Sequence, residues 1–446
     1  MARRFFGVCL VCIVLLYTLA GCAAAPDTLW LGAGEAEITL AEDETHYVAG
    51  YQGGLAADGV LDVPMVKAAF LRYGRRSYLL LSVDCVGLAA GTVERIRERV
   101  REFYPDTQIH VVSTHDHAGA DTLGLWGKAG IDGKNPRDME SLLSAAFVAA
   151  VLAYYDMRPG QFYFSAADCA DLIEDTRAPV VYDGNAYVFR FVPEDGGADT
   201  RLLLFPSHAE ALGGGNTKLS ADFPAYIART IVAETGGRTL YFPGAIGGLL
   251  RTVTLSDDPI ENCRLTGETI ARRILACETE LPLDRTVSIV TERVKIPCDN
   301  VLFRGMKFLG VLENDVTAAR GRVTICTTVS LMQIGDKRVL LLPGEIFPEL
   351  VYGTDPAFTP VNPDRADPTP LADILGSDIL VIGLCDDEIG YIVPPSDYLL
   401  DETAPYLVTP PRDHNGENHY EETNSAGVEA AWAIERAVRR LARRIQ

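Results

Sequence analysis

The run that decides the reading is Gln108-Ile109-His110-Val111-Val112-Ser113-Thr114-His115-Asp116-His117-Ala118-Gly119. Apolar, mostly β-branched residues dominate its first half, which predicts a buried strand over Gln108–Val112. Polar residues and a glycine follow at once, so the strand ends and delivers histidines to a loop. The chain has only seven histidines, and this run holds three of them. Imidazole both binds metals and moves protons near neutral pH. A spacing of two puts His115 and His117 on one side if the extended backbone continues. His110, inside the strand, reads as packing or as outer support for such a site.

Further strands and helices alternate on both sides of this run. Leu29–Leu40 alternates like a strand. Val66–Tyr73 and Tyr78–Ser82, separated by Gly74-Arg75-Arg76-Ser77, predict a hairpin. Helical spacing follows over Thr92–Phe103 and over 137–156. Leu202–Phe205 is a short strand that ends in Pro206-Ser207-His208, and Ser220-Ala221-Asp222 starts a helix that runs to about Glu234. Thr239–Phe242 is a strand leading into Gly244-Ala245-Ile246-Gly247-Gly248, and 258–279 is helical. Val287–Val294, Arg322–Ile334, Arg338–Leu342 and Asp378–Gly383 are strands, and Ala426–Arg444 is a terminal amphipathic helix. Residues 354–372 form a Pro- and Asp-rich loop. The alternation predicts an α/β fold of layered mixed β-sheets flanked by helices. No repeat or linker divides it, so 29–446 reads as a single large domain.

The start of the chain reads differently. Arg3-Arg4, an apolar run from Phe5 to Leu19 and then Ala20-Gly21-Cys22 form a secretory signal over 1–21. Cys22 resembles the acceptor of a bacterial lipobox, which implies lipidation of its thiol and a tether over 22–28. A plain membrane anchor fits less well, because the run is shorter than the ~20 residues a spanning helix needs. No later stretch reads as a membrane span. The expected location is the bacterial cell envelope, with the chain lipid-anchored there. Ala23 is not the aspartate associated with retention at the inner membrane. The net charge of −21 argues against a nucleic-acid partner, which needs a basic face. Outside the signal region and Cys22, seven cysteines remain with no CxxC pair, which argues against a zinc ribbon and against a disulfide scaffold. One or two disulfides are compatible with export.

Polar residues stand at four strand ends: His115 with His117, His208, Glu345 and Tyr391. Open α/β sheets gather functional groups at strand ends. Imidazoles plus a carboxylate suit Zn²⁺ with a position open to water, and water so bound attacks carbonyls near neutral pH. Taken singly, each residue also has a structural explanation. A strand-end histidine can be a satisfied loop residue, Glu345 after Pro343-Gly344 can cap a helix, and Tyr391 can be core. His414 and His419, in the polar segment Arg412–Glu422, read as rim, and His46 as surface. The H-x-H-x-D-H pattern of metallo-β-lactamases is poorly matched, since the acid, Asp121, comes late and the final histidine is missing.

A second comparison covers roughly 32–425. Gly32-Ala33-Gly34-Glu35-Ala36-Glu37-Ile38-Thr39, Ala49-Gly50-Tyr51, Ser82-Val83-Asp84 and Ser113-Thr114-His115-Asp116-His117-Ala118-Gly119 come first. Ser207-His208, Ser220-Ala221-Asp222, Pro243-Gly244-Ala245-Ile246-Gly247, Pro343-Gly344-Glu345, Glu388-Ile389-Gly390-Tyr391 and Tyr420-Glu421 follow. In this order they resemble the N-terminal catalytic domain of the neutral (alkaline, non-lysosomal) ceramidases. The resemblance implies zinc held by His115, His208, Glu345 and Tyr391, with His117 beside the metal. It also implies hydrolysis of an N-acyl amide. There are two departures. Gly247-Gly248-Leu249-Leu250-Arg251 replaces the family's G-D-x-S-P, so Leu250 stands where that motif has a serine. The family's immunoglobulin-like domain is absent from this chain.

The expectation is a zinc-dependent amidohydrolase acting on a small-molecule or lipid N-acyl substrate through a Zn-bound water. His117 and Tyr391 are its catalytic partners. Arg251 is a candidate for binding a substrate carboxylate or phosphate, or is simply a surface arginine. Two alternatives stand beside it: a non-catalytic surface lipoprotein that binds a glycan or a protein, and a zinc hydrolase of a non-lipid substrate.

Overall fold

The computed structural model describes residues 28–445 apart from 42, 129, 130, 278 and 320. The signal segment 1–21, Cys22 and the tether up to residue 27 lie outside the described residues. The fold is α/β, with two main mixed sheets stacked face to face between helices. The larger sheet is nine-stranded and the smaller five-stranded.

The alternation of side chains along each strand dictates this stacking, because neighbours along a strand must find apolar partners on opposite faces. Leu202 and Leu204 join the core between the two sheets, while Leu203 and Phe205 pack under helices Asp222–Thr235 and Pro259–Leu275. Leu80 faces the second sheet, while Leu79 and Leu81 face helices Ala90–Arg101 and Pro136–Tyr155. In the second sheet Val339 and Leu341 meet the first, and Leu340 and Leu342 face the terminal helix Ala430–Ile445. The result is four layers in the order helix, sheet, sheet, helix.

Most of the expected elements are present. The hairpin is Met65–Tyr73 against Arg76–Val83, antiparallel. The first histidine-bearing strand is Thr107–Ser113, parallel to Arg76–Val83. Two long strands, Arg158–Asp168 and Asn185–Pro193, are additional and pair antiparallel. Pro159-Gly160 at the start of the first of these is a turn signal in sequence. In the fold both residues sit within the ladder.

One expectation is corrected, and one permitted feature is not seen. Helix Pro136–Tyr155 is long and apolar enough to cross a membrane by length and composition. Leu142, Ala146, Ala149 and Ala153 on one of its faces are buried with the larger sheet. The seven cysteines of the described residues are all free thiols, with no disulfide among them.

Candidate metal centre

Four strand ends carry the polar residues, two from each sheet. Thr107–Ser113 and Thr200–Phe205 of the larger sheet lead to His115 with His117 and to His208. Lys337–Leu341 and Leu380–Ile382 of the smaller sheet lead to Glu345 and Tyr391. Backbone hydrogen bonds join the loops to one another. His117 N donates to Ala209 O (3.0 Å), His208 N to Leu250 O (2.9 Å) and Gly247 N to Ile346 O (2.9 Å). Glu345–Ile346 and Tyr391–Ile392 form a short parallel pair in which Glu345 and Tyr391 are direct partners.

His115 and His117 share a side for a reason other than strand alternation. The strand stops at Ser113, and His115 adopts φ +59°, a left-handed conformation rare outside glycine and a few polar residues. Gly50, at φ +100°, makes room for its neighbour. A Cβ there would lie 2.5 Å from His117 Cγ.

One ligand atom from each of His115, His117 and His208 lies within 4.8 Å of the other two. Glu345 Oε2 lies 3.3 Å from His115 Nε2 and 3.1 Å from His208 Nε2. The outer ring nitrogens explain which atoms face inward. His115 Nδ1 lies 2.7 Å from Val86 O, and His208 Nδ1 lies 2.7 Å from Leu250 O. A carbonyl can only accept, so both Nδ1 atoms carry hydrogen and both Nε2 atoms present lone pairs. Two bare nitrogens against one carboxylate oxygen repel unless a cation or a proton joins them. The donor set therefore fits a divalent cation. Burial opposes ionisation of Glu345, but the His115 and His208 imidazoles hold its carboxyl well below the usual range.

His117 differs. Its Nε2 lies 3.1 Å from His115 Nε2, but its buried Nδ1 has no hydrogen-bond partner. Glu210 Oε2, at 3.7 Å, is close but not bonded. Its tautomer is therefore not fixed, which suits a proton carrier better than a ligand. Burial, then the neighbouring imidazoles of His115 and His208, push its pKa well below the ordinary value.

The Tyr391 hydroxyl meets the Tyr420 hydroxyl at 3.1 Å. Burial, followed by the Glu345 carboxylate, raises the Tyr391 phenol well above its ordinary value. Glu388, three residues earlier, is buried too. Its Oε1 accepts from Gly390 N at 2.7 Å, and burial, followed by the Glu345 charge, pushes its pKa well above the ordinary value. Arg251 stands on the exposed rim, its Nε 2.6 Å from Glu174 Oε1. The guanidinium is engaged by Glu174. The Leu250 side chain is fully buried in the core under the helices, while its carbonyl takes two hydrogen bonds from His208. That position serves through its backbone.

Two histidines correct the sequence reading. His46 is anchored to Asp138 (2.7 Å) and Ala41 O (2.9 Å). His419 is not rim but fully buried in a charged cluster, its Nδ1 2.8 Å from Glu422 Oε1. Arg177, 1 % exposed, lies at the centre of that cluster among Asp397 (2.9 Å), Glu421 (3.1 Å) and Glu422 (3.2 Å). His110 is held by Asp386 (2.7 Å), which Arg97 also pairs (2.7 Å).

Glu349, in the helix just after Glu345, yields a pH prediction. Burial pushes its carboxyl up to about 8, against about 4.3 for an exposed glutamate. The folded state therefore keeps a proton that the unfolded state loses. The stability this contributes is complete below the unfolded value and disappears as pH rises through about 8. Urea midpoints are expected to fall from pH 5 to pH 9 and to fall less in Glu349→Gln. An equal slope in the two proteins would refute the assignment.

No family model and no curated protein matches the chain. Among solved structures, neutral ceramidase from Pseudomonas aeruginosa superposes with a TM-score of 0.68 at 13 % identity, over 94 % of this chain and 75 % of that one. A ceramidase complexed with C2 gives 0.66 at 13 %, over 93 % and 75 %. The chain has the fold of the neutral ceramidases.

Proposed function

We propose that the protein is a zinc-dependent amidohydrolase, with His115, His208 and Glu345 as the core ligands and Tyr391 completing the set. The observation that carries this reading is Glu345 Oε2 lying between the Nε2 atoms of two histidines whose Nδ1 atoms are fixed by backbone carbonyls. When bound, a zinc ion there supplies Lewis-acid polarisation of a carbonyl and lowers the pKa of water. The chain's own groups do the rest. His117 takes a proton from the attacking water at a ring nitrogen and returns it to the amide nitrogen as the C–N bond breaks. Tyr391 would hold the ion as the fourth ligand, its phenol proton given up on binding. The products are a carboxylic acid and an amine, and an ester is the second substrate type. The ceramidase structures supply the analogy for an N-acyl lipid substrate.

Cys22, with the run before it, supports a lipid anchor in a bacterial envelope. The decisive experiment measures metal content and then hydrolysis of a panel of N-acyl amides, with and without a chelator. Chelator-sensitive release of fatty acid is expected. Activity that persists in His115→Ala overturns the metal reading. One observation favours a non-catalytic binding lipoprotein: Leu250 puts no hydroxyl into the site. Tight zinc binding without turnover of any amide or ester would establish that reading.

A further inference from the structure

Glu210 belongs to none of the strand-end positions, yet it stands beside the centre. It lies two residues after His208, on a loop held in place by Asp222, whose carboxylate accepts from Ala211 N (2.9 Å) and Leu212 N (3.0 Å). Tyr51 donates its hydroxyl to Glu210 Oε2 at 2.6 Å. The Tyr51 ring also sits edge-on to His117, with centroids 5.2 Å apart at 81°. One carboxylate oxygen is thus fixed, and the side chain keeps 18 % of its surface open. Among the described residues no lysine or arginine pairs with it. The arginine on this rim, Arg251, is already bound to Glu174.

A substrate carbonyl brought to the metal centre therefore has, on the His117 side, a mostly buried carboxylate with one oxygen held by Tyr51 and no lysine or arginine paired to it among the described residues. A carboxylate accepts hydrogen bonds and donates none. It favours a group bearing N–H or O–H and repels a second anion, and specificity often comes from such a repulsive element. We propose that Glu210, positioned by Tyr51, is the subsite that reads the amine half of the substrate. It takes a hydrogen-bond donor, either an ammonium or a hydroxyl, and rejects an anionic group. This rests on the hydrolase reading and narrows it: amides whose amine half carries a carboxylate or phosphate are poor substrates, and Arg251 does not rescue them.

The test uses the zinc-loaded protein and three lauroyl amides that share one acyl chain, formed with ethanolamine, ethylenediamine and glycine. The first two should exceed the glycine amide in kcat/KM by about tenfold or more, the scale of a hydrogen bond to a charged group. Glu210→Gln should lower the ammonium-over-carboxylate preference by about tenfold, mainly through KM, and Glu210→Asp should retain it. Glu210→Lys should favour the glycine amide. An unchanged order of preference in Glu210→Gln overturns the proposal. A second arm reads the subsite without catalysis, through calorimetric binding of hexylammonium and hexanesulfonate at pH 7. Hexylammonium should bind more tightly and weaken about tenfold in Glu210→Gln, whereas equal binding of the two probes, or no change in the variant, also overturns it. If no amide is cleaved while hexylammonium still depends on Glu210, the hydrolase reading fails and the subsite stands.

Discussion

Glu345→Gln is expected to remove both bound zinc and amide hydrolysis while leaving the fold intact. The substitution keeps the shape of the side chain and deletes one charge. Among the described residues, that charge is the only anion against the Nε2 atoms of His115 and His208. Loss of a mere outer partner of a metal ligand costs roughly 10–100-fold in affinity or activity, and loss of an inner carboxylate should exceed that. Metal analysis after dialysis, beside initial rates on an N-acyl amide, reads both effects. Far-ultraviolet circular dichroism guards against simple unfolding. Wild-type zinc content in the variant would show that the cation, if any, sits elsewhere.

Arg177→Met should produce the largest loss of stability of any single change outside the metal centre. The guanidinium faces Asp397, Glu421 and Glu422 and lies 4.9 Å over the Phe347 ring. Removing it leaves several buried acids without a cation, and breaking a buried pair costs about 3–5 kcal/mol. The residual acids have one escape, which is to take up protons. Burial already pushes Glu421 up to about 7. The loss should therefore be greatest at alkaline pH and shrink on acidification. Adding Glu421→Gln to Arg177→Met should recover part of it, because one stranded charge is gone. Denaturant midpoints of the single and double variants, measured at pH 6 and pH 8, check this. A single variant as stable as the wild type would mean that water reaches the cluster. The same variant should also disturb the site at a distance. Tyr420, whose hydroxyl meets that of Tyr391, is on the short helix Tyr420–Thr423 that Arg177 braces.

How much of this was legible follows from the range over which each signal acts. The strands that deliver His115, His208 and Glu345 announce themselves by apolar runs that stop at polar residues, a local pattern. The long strand at 158–168 does not, because it starts on Pro159-Gly160 and mixes aromatic with polar side chains. The pairing of Ile173–Asp175 with Leu250–Thr252 joins segments that nothing in their composition connects. His419 looked solvated because its segment is charged, but Glu421 and Glu422 are buried with it. Glu210 carries no signal beyond following a histidine by two. Its meaning comes from Tyr51, far away in the chain, and from the His117 nitrogen it faces. Side chains fixed by backbone geometry could be anticipated, whereas those defined by a partner across the fold could not.

Two of the proposed ligands come from each sheet, and this has a mechanical implication. An ion gripped by His115 and His208 on one side and by Glu345 and Tyr391 on the other would act as a clasp across the seam between the halves of the molecule. Affinity for the ion would then be cohesion of the whole, since whatever binds only the folded state adds its binding free energy to folding. The seam would be held by chemistry rather than by any particular set of apolar contacts, leaving those contacts free to drift while the clasp keeps its shape.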